Sequence, residues 1–146
     1  GYLKRKEKEG WRNTNNHSLV VKVSMGSRSF LFPGDIMAAA EEELVGMAGR
    51  KLDSTVLIAP HHGSRSSSST AFLREVNPEV VVISCGHRSR FKLPHPTILK
   101  KYLAEAYNSY VFYYYSYFYY LFCFVHLFLY HFKVIQLTFI HKKRQT

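Results

Sequence analysis

The chain has 146 residues, of which 47% are hydrophobic, and it carries a formal net charge of +10. These values fit one small globular domain and exclude a chain that is disordered or collagen-like as a whole. The positive charge favours anionic partners such as nucleic acid or phospholipid, but it says nothing about fold or reaction. The two cysteines, Cys85 and Cys123, match no metal-binding or redox spacing, so free thiols in a reducing compartment are expected.

The amino-acid composition changes near Ala106. Sixteen of the 23 aromatic residues lie in the last 40 positions of the chain. We therefore divide the sequence into a basic N-terminal segment at 1–14, a domain at 15–106 and an aromatic low-complexity tail at 107–146. The chain begins at Gly1 and no apolar signal segment follows "GYLKRKEKEGW", so we expect it to be a piece of a longer protein.

Between residues 15 and 106, hydrophobic periodicity predicts strands that alternate with helices. The runs "SLVVKVS" and "SRSFLFPGD" predict a hairpin that turns through Met25, Gly26 and Ser27. The segment "IMAAAEEELVGMAG" predicts a helix, with Ile36, Ala40, Leu44 and Met47 at helical spacing and a stop at Gly49. Next, "STVLIA" predicts a buried strand, "STAFLREV" a helix with a Ser or Thr cap, "EVVVISC" another buried strand, and "HPTILKKYLAEA" a helix opened by Pro96. This order predicts an α/β domain in which helices cover a mixed sheet.

Side chains that can bind metals follow the predicted strands. Asp35 follows "FLFPG", His61 and His62 follow "VLIAP", His87 follows "VVVISCG", and His95 lies between two prolines at the start of the last helix. Layered α/β sheets commonly place their sites at strand ends. Asp and His suit a divalent metal that activates water or polarises a phosphoryl oxygen.

Simpler interpretations compete with this one. An Asp after a strand is more often a turn former or a helix cap, and two histidines at a turn are usually solvated surface. The Gly63–Ser64 pair that follows the histidines favours a functional role for at least one ring. We interpret His17 and His87 as surface residues, and the serines at 66–69 as a flexible linker rather than a phosphate-contacting loop.

Several stretches together carry a family resemblance. In order and spacing, "NNHSLVVKV", "FLFPGDI", "AAEEEL", "VLIAPHHGSRSSSSTAFLREVNPEVVVISCG" and "LPHPTIL" resemble the C-terminal metallo-β-lactamase-like domain of the ComEC family. These are bacterial DNA-uptake channel proteins of natural transformation, and the likeness runs from about Asn15 to about Glu105. It implies a partial αββα sandwich, comprising the C-terminal half of that fold.

The resemblance also implies a chemistry and its residues. The implied reaction is hydrolysis of DNA phosphodiesters with zinc or manganese as cofactor and single-stranded DNA as partner, without a small-molecule cofactor. The domain would lie outside the cytoplasm, attached to a membrane channel portion. Asp35 would be the metal-bridging and catalytic carboxylate, and His61, His62 or both would be ligands. Residues implied around the substrate or the ligands are Asn15, Asn16, Ser18, Ser64 and His95.

The chain departs from the family pattern at its N-terminal end. The family's "HxHxDH"-like segment normally precedes the "N..S" stretch, and residues 1–14 contain no His or Asp. A divalent metal needs several protein ligands, so we expect the isolated chain to be inactive. Two alternatives remain open: a non-catalytic gene remnant, and a metallo-hydrolase of the same fold that acts on another substrate.

The tail does not continue the resemblance. Residues 107–132 contain no Asp, Glu, Lys or Arg, and about 20 apolar residues suffice for a membrane-spanning helix. However, the many tyrosine hydroxyls would be costly in a bilayer core. Out-of-frame translation of AT-rich sequence is therefore favoured over a membrane anchor.

Overall fold

The predicted alternation of strands and helices is confirmed. The computed structural model describes residues 14–86, 90–105, 107–114 and 136–141. The strands are β1 (Val20–Met25), β2 (Arg28–Phe32), β3 (Val56–Ile58), β4 (Val80–Gly86), β5 (Asn108–Tyr114) and β6 (Gln136–His141). The helices are α1 (Ala38–Ala48), α2 (Thr70–Val76) and α3 (Pro96–Ala104), with 3₁₀ turns at Thr14–His17, Gly49–Leu52 and Pro60–Gly63.

Strands β1 to β4 form a central mixed sheet, which β5 and β6 extend in the order β5-β4-β3-β2-β1-β6. The predicted hairpin is present, because β1 and β2 pair antiparallel through the two-residue turn Gly26–Ser27. Gly26 has a φ of 56°, which glycine adopts readily. Strands β2, β3, β4 and β5 run parallel to one another. The ends of β2, β3 and β4 therefore lie at one edge of the sheet.

The core lies between the sheet and the three helices. In β3 the buried Leu57 lies between two half-buried residues, whereas β4 buries three consecutive residues, Val81, Val82 and Ile83. The shared cluster includes Leu31, Leu57, Val81 and Ile83 from strands and Leu44, Phe72, Leu73, Val76, Ile98 and Tyr102 from helices. Burying each large apolar side chain stabilises the fold by about 1.5–3 kcal/mol. The mixed α/β class is confirmed, and the likeness to half of a metallo-β-lactamase sandwich stays a prediction.

Helix α1 differs from the expected apolar stripe. It ends where predicted, at Gly49, whose φ is 47°. Met47, placed on the buried stripe by spacing, is 60% exposed, whereas Glu41 is 0% exposed. The carboxylate of Glu41 accepts hydrogen bonds from the backbone of Ser68 and Ser69, and this contact holds a polar residue inside.

The prediction that the serines at 66–69 form a flexible linker is wrong. Ser67 and Ser68 are 4% and 0% exposed. Ser67 Oγ donates to the carbonyl of Ile36 at 2.7 Å, and Ser68 Oγ lies 2.6 Å from the hydroxyl of Tyr102. Because these serines have partners in the domain interior, they form an ordered loop between β3 and α2.

The division of the chain into segments at 1–14, 15–106 and 107–146 stays a prediction. Residues 1–13, His87 and most of the aromatic tail lie outside the described residues. Within the tail, 108–114 and 136–141 are strands of the sheet. Of the helices in the described part of the chain, none is long and apolar enough to cross a membrane.

Candidate functional site

The candidate site lies at the edge where β2, β3 and β4 end. Asp35 comes three residues after β2, and His61 and His62 lie in the 3₁₀ turn that follows β3. Ser84 belongs to β4. The parallel pairing of these strands brings together the three segments at the strand ends, where the sequence placed Asp35 and the two histidines.

The turn at Pro60–Gly63 has an unusual backbone. His61, His62 and Gly63 have φ angles of 50°, 56° and 78°, in the left-handed region. For a residue with a Cβ atom this conformation costs about 1–2 kcal/mol. The turn is held by backbone hydrogen bonds, since His61 N donates to Gly34 O at 3.0 Å and His95 N donates to Gly63 O at 2.9 Å. Strain of this kind, maintained by surrounding contacts, is common at functional sites.

His62 and Asp35 form a partly exposed pair. His62 Nδ1 lies 2.7 Å from the carbonyl oxygen of Ser84. A carbonyl only accepts hydrogen bonds, so Nδ1 carries the proton and the lone pair of the neutral ring is at Nε2. Nε2 lies 3.5 Å from Asp35 Oδ1, and both side chains are 43% exposed. In the neutral ring, the lone pair of Nε2 therefore faces a carboxylate oxygen, and in the protonated ring the two groups form an ion pair.

His61 has a different environment. Its Nε2 lies 3.3 Å from Asn15 Nδ2, and its Nδ1 lies 3.3 Å from Ser66 Oγ. An amide nitrogen can only donate, so Nε2 accepts this bond and Nδ1 carries the proton. Both ring nitrogens of His61 therefore have hydrogen-bond partners, whereas the Nε2 atom of His62 faces the carboxylate of Asp35.

The residues of the "N..S" stretch position Asp35 through its backbone. Ser18 Oγ donates to Asn15 O at 2.8 Å and accepts from Asp35 N at 3.1 Å. Asn16 Oδ1 accepts from Met37 N at 2.8 Å. At Gly34, whose φ is 64°, an added Cβ would lie 2.8 Å from Ser18 Cβ. Glycine is therefore needed for the close approach of these two segments.

The remaining predicted residues, Ser64 and His95, lie next to the turn. Ser64 Oγ is 3.0 Å from Ser66 Oγ, in the group of contacts around His61. The side chain of His95 caps α3 by accepting from Thr97 N at 3.2 Å. In this structure His95 thus anchors the turn through its backbone and begins α3 through its ring.

The donor set fits part of a metal site. Two ligands about 2.1 Å from a tetrahedral zinc ion stand about 3.4 Å apart, close to the 3.5 Å between His62 Nε2 and Asp35 Oδ1. A carbonyl partner on the other ring nitrogen is the usual arrangement of a metal-binding histidine. Within the described residues, however, no group of three or more His, Cys, Asp and Glu side chains could hold a metal. Two of the described residues, Asp35 and His62, therefore have the geometry of a ligand pair, which is fewer than a closed site needs.

Sequence reasoning missed three contributors to this region. The carbonyl of Ser84 is a backbone group, and residue type gives no signal for it. Glu41 is the first of three consecutive glutamates, and nothing in "EEE" indicates which one is buried. Ser66 lay in a run interpreted as linker, although its nearness to the histidines was a signal that could have placed it at the site.

The protein is a mixed α/β domain, and a His–Asp pair lies at the ends of its parallel strands. The sequence matches no protein-family model. It is 38% identical over 93 residues to uncharacterized protein YcaI of Escherichia coli, covering 64% of this chain and 12% of that protein. Competence protein ComA of Neisseria gonorrhoeae is 45% identical over 83 residues, which cover 57% of this chain and 12% of ComA.

A third relative is also matched over only a small part of its own length. ComE operon protein 3 of Bacillus subtilis is 31% identical over 86 residues, covering 59% of this chain and 11% of that protein. The chain thus spans about a tenth of the length of the curated relatives it matches. These similarities support a relationship between this chain and the competence proteins.

Proposed function

We propose that the chain is part of a competence protein of the ComEC type, and that it contributes Asp35 and His62 to a metal-dependent site for hydrolysis of DNA phosphodiesters. The similarity to competence protein ComA and to ComE operon protein 3 supports the competence role. The observation that supports the metal site is the 3.5 Å approach of His62 Nε2 to Asp35 Oδ1.

The chain's own residues prepare this pair for a cation. The carbonyl of Ser84 keeps the proton of His62 on Nδ1, so that Nε2 is available as a ligand. Ser18 holds the backbone of Asp35, which limits where the carboxylate can lie. A divalent zinc or manganese ion bound there would polarise a phosphoryl oxygen and activate water.

The proposed substrate is single-stranded DNA. The net charge of +10 favours an anionic partner, and the exposed Arg65 lies between Ser64 and Ser66, beside the turn that carries the histidines. Arginine is well suited to phosphate groups because its planar fork donates several hydrogen bonds. We further propose that the domain lies outside the cytoplasm, attached to the membrane channel portion of the longer protein.

The site of the isolated chain is proposed to be incomplete. A catalytic zinc usually has three protein ligands, and the described residues offer two. The other ligands are proposed to come from an "HxHxDH"-like segment of the longer protein. Reading the genomic DNA upstream in all frames tests this, since absence of such a segment would favour a gene remnant.

Calorimetric titration of the full chain with zinc chloride, and in parallel with manganese chloride, tests the ligand pair. We expect weak uptake that is lost in Asp35→Asn and in His62→Gln. His61→Gln should retain uptake, because both ring nitrogens of His61 already have protein partners. Asp53→Asn, an exposed aspartate on the turn before β3, is the matched control. Uptake that survives both Asp35→Asn and His62→Gln would refute the assignment.

Incubation with labelled single-stranded DNA tests the inactivity of the isolated chain. We expect the DNA to stay intact in the presence of zinc or manganese. Tight stoichiometric metal binding together with DNA degradation that disappears in Asp35→Ala would show instead that the chain is a complete nuclease.

A further inference from the structure

Glu41 is a buried carboxylate that holds one loop of the domain through hydrogen bonds. Its side chain is 0% exposed, and its two oxygens accept from Ser68 N at 2.6 Å and from Ser69 N at 2.7 Å. Burial of a charged group is costly unless hydrogen bonds compensate it. Burial raises the pKa of Glu41, while the backbone hydrogen bonds from the two serines act in the opposite direction. The hydrogen bonds from this loop therefore offset part of the cost of burying the Glu41 carboxylate.

The loop that Glu41 holds is the serine loop, residues 66–69. Ser68 has a φ of 62°, an unfavourable backbone conformation for a residue with a Cβ atom. From α3, Lys101 Nζ donates to Ser68 O at 2.8 Å and the Tyr102 hydroxyl lies 2.6 Å from Ser68 Oγ. The serine loop is thus fixed between α1 and α3 in a conformation that it would not adopt alone.

The serine loop reaches the candidate site at its other end. Ser66 Oγ contacts Nδ1 of His61 at 3.3 Å, and Ser66 O accepts from Ala38 N at 2.8 Å. Ser67 Oγ donates to the carbonyl of Ile36, the residue that follows Asp35. A displacement of the serine loop would therefore move a side chain that contacts the ring of His61.

We propose that Glu41 is a positioning residue of the candidate site: it holds the serine loop so that Ser66, together with Asn15, fixes the orientation of the His61 ring. The place of His61 beside a metal site rests on the proposed function, whereas the link between Glu41 and His61 does not. A glutamate that served stability alone would leave the ring of His61 unchanged in any variant that still folds.

Nitrogen NMR of the histidine rings in the full chain, without metal, separates these two roles. In the wild type, His61 is expected as the Nδ1-protonated tautomer, because Asn15 Nδ2 donates to Nε2. In Glu41→Gln the amide presents one acceptor and one donor group to two N–H donors, so the loop must move. The nitrogen signals of the His61 ring should then shift, because its Nδ1 contact with Ser66 is lost, while His62, held by Ser84 of β4, keeps its signals.

Two further variants make the test specific. Ser66→Ala removes the hydroxyl that reaches His61, and it should reproduce the His61 change of Glu41→Gln. Glu42→Gln is the matched control, since Glu42 is exposed on the same helix and should leave both histidines unchanged.

A folded Glu41→Gln protein with wild-type His61 signals would overturn the proposal, and so would unchanged His61 signals in Ser66→Ala. If Glu41→Gln does not fold, Glu41→Asp takes its place, because it keeps the charge but withdraws the carboxylate from the loop. Failure of zinc uptake would count against the proposed function alone, since the ring signals are measured without metal.

Discussion

Replacing Gly63 by alanine should destabilise the turn that carries both histidines. Gly63 has a φ of +78°, and an added Cβ would lie 2.8 Å from Pro94 Cβ and 3.4 Å from Ile83 Cγ2. Contacts below 3.0 Å are essentially never seen for real Cβ atoms. Ile83 is 0% exposed and Pro94 is buried, so neither neighbour has room to withdraw. The turn itself must move.

The expected magnitude follows from two separate effects. Placing alanine in the left-handed region costs about 1–2 kcal/mol. Forcing one extra carbon into a packed contact costs typically about 1–3 kcal/mol. The free energy of unfolding should therefore fall by about 2–5 kcal/mol in Gly63→Ala.

Gly26→Ala is the matched control. Gly26 also has a positive φ, of 56°, but an added Cβ there would meet nothing within 4 Å. Its cost should be the backbone effect alone, about 1–2 kcal/mol. The difference between the two variants thus isolates the contact with Pro94 and Ile83.

Urea denaturation of the full chain, followed by far-ultraviolet circular dichroism, measures both variants. The midpoint should fall further for Gly63→Ala than for Gly26→Ala at an equal slope. Zinc uptake should also be lost in Gly63→Ala and kept in Gly26→Ala, because only the former displaces the histidines. A Gly63→Ala protein no less stable than Gly26→Ala would refute the packing argument.

Three further predictions concern the helices and the serine loop. Gly46→Ala in the exposed interior of α1 should stabilise the protein by about 0.5–1 kcal/mol in urea denaturation, because an added Cβ meets nothing within 4 Å and alanine favours the helix. Tyr102→Phe should cost about 1–3 kcal/mol in the same assay, since it leaves the buried hydroxyl of Ser68 without its 2.6 Å partner. Burial raises the pKa of Glu41, so its contribution to stability is present below the unfolded-state pKa of about 4.3 and is lost as pH rises through the folded-state value. Urea midpoints measured from pH 4 to 7 should therefore fall less steeply in Glu41→Gln than in the wild type.

The order of elements could be predicted because its signals are local. Strand β4 begins with four consecutive apolar residues at 80–83, and α3 begins at Pro96 behind a capping residue. The hairpin between β1 and β2 has glycine where the turn needs a positive φ. Each of these signals lies within a few residues of the element that it predicts, so no tertiary information was needed.

The contacts of the site could not be predicted in the same way. The orientation of His62 depends on a carbonyl of Ser84, 22 positions away, and every residue type has such a group. The serines at 66–69 resemble a linker by composition, but burial against Glu41 and Tyr102 orders them. A serine-rich composition predicts a segment solvated by water. In this fold, side chains of α1 and α3 replace water as the hydrogen-bond partners of the serines.

The two histidines of the turn are neighbours in sequence but are held by different parts of the fold. His62 is oriented by Ser84 of β4, in the interior of the sheet. His61 is oriented by Asn15, which precedes β1, and by Ser66 of the serine loop. Left-handed backbone at both positions allows the two rings to reach these separate partners. A change in the serine loop should therefore reach the ring of His61, while the Ser84 contact keeps the ring of His62 in place, so the two adjacent imidazoles respond to different parts of the fold.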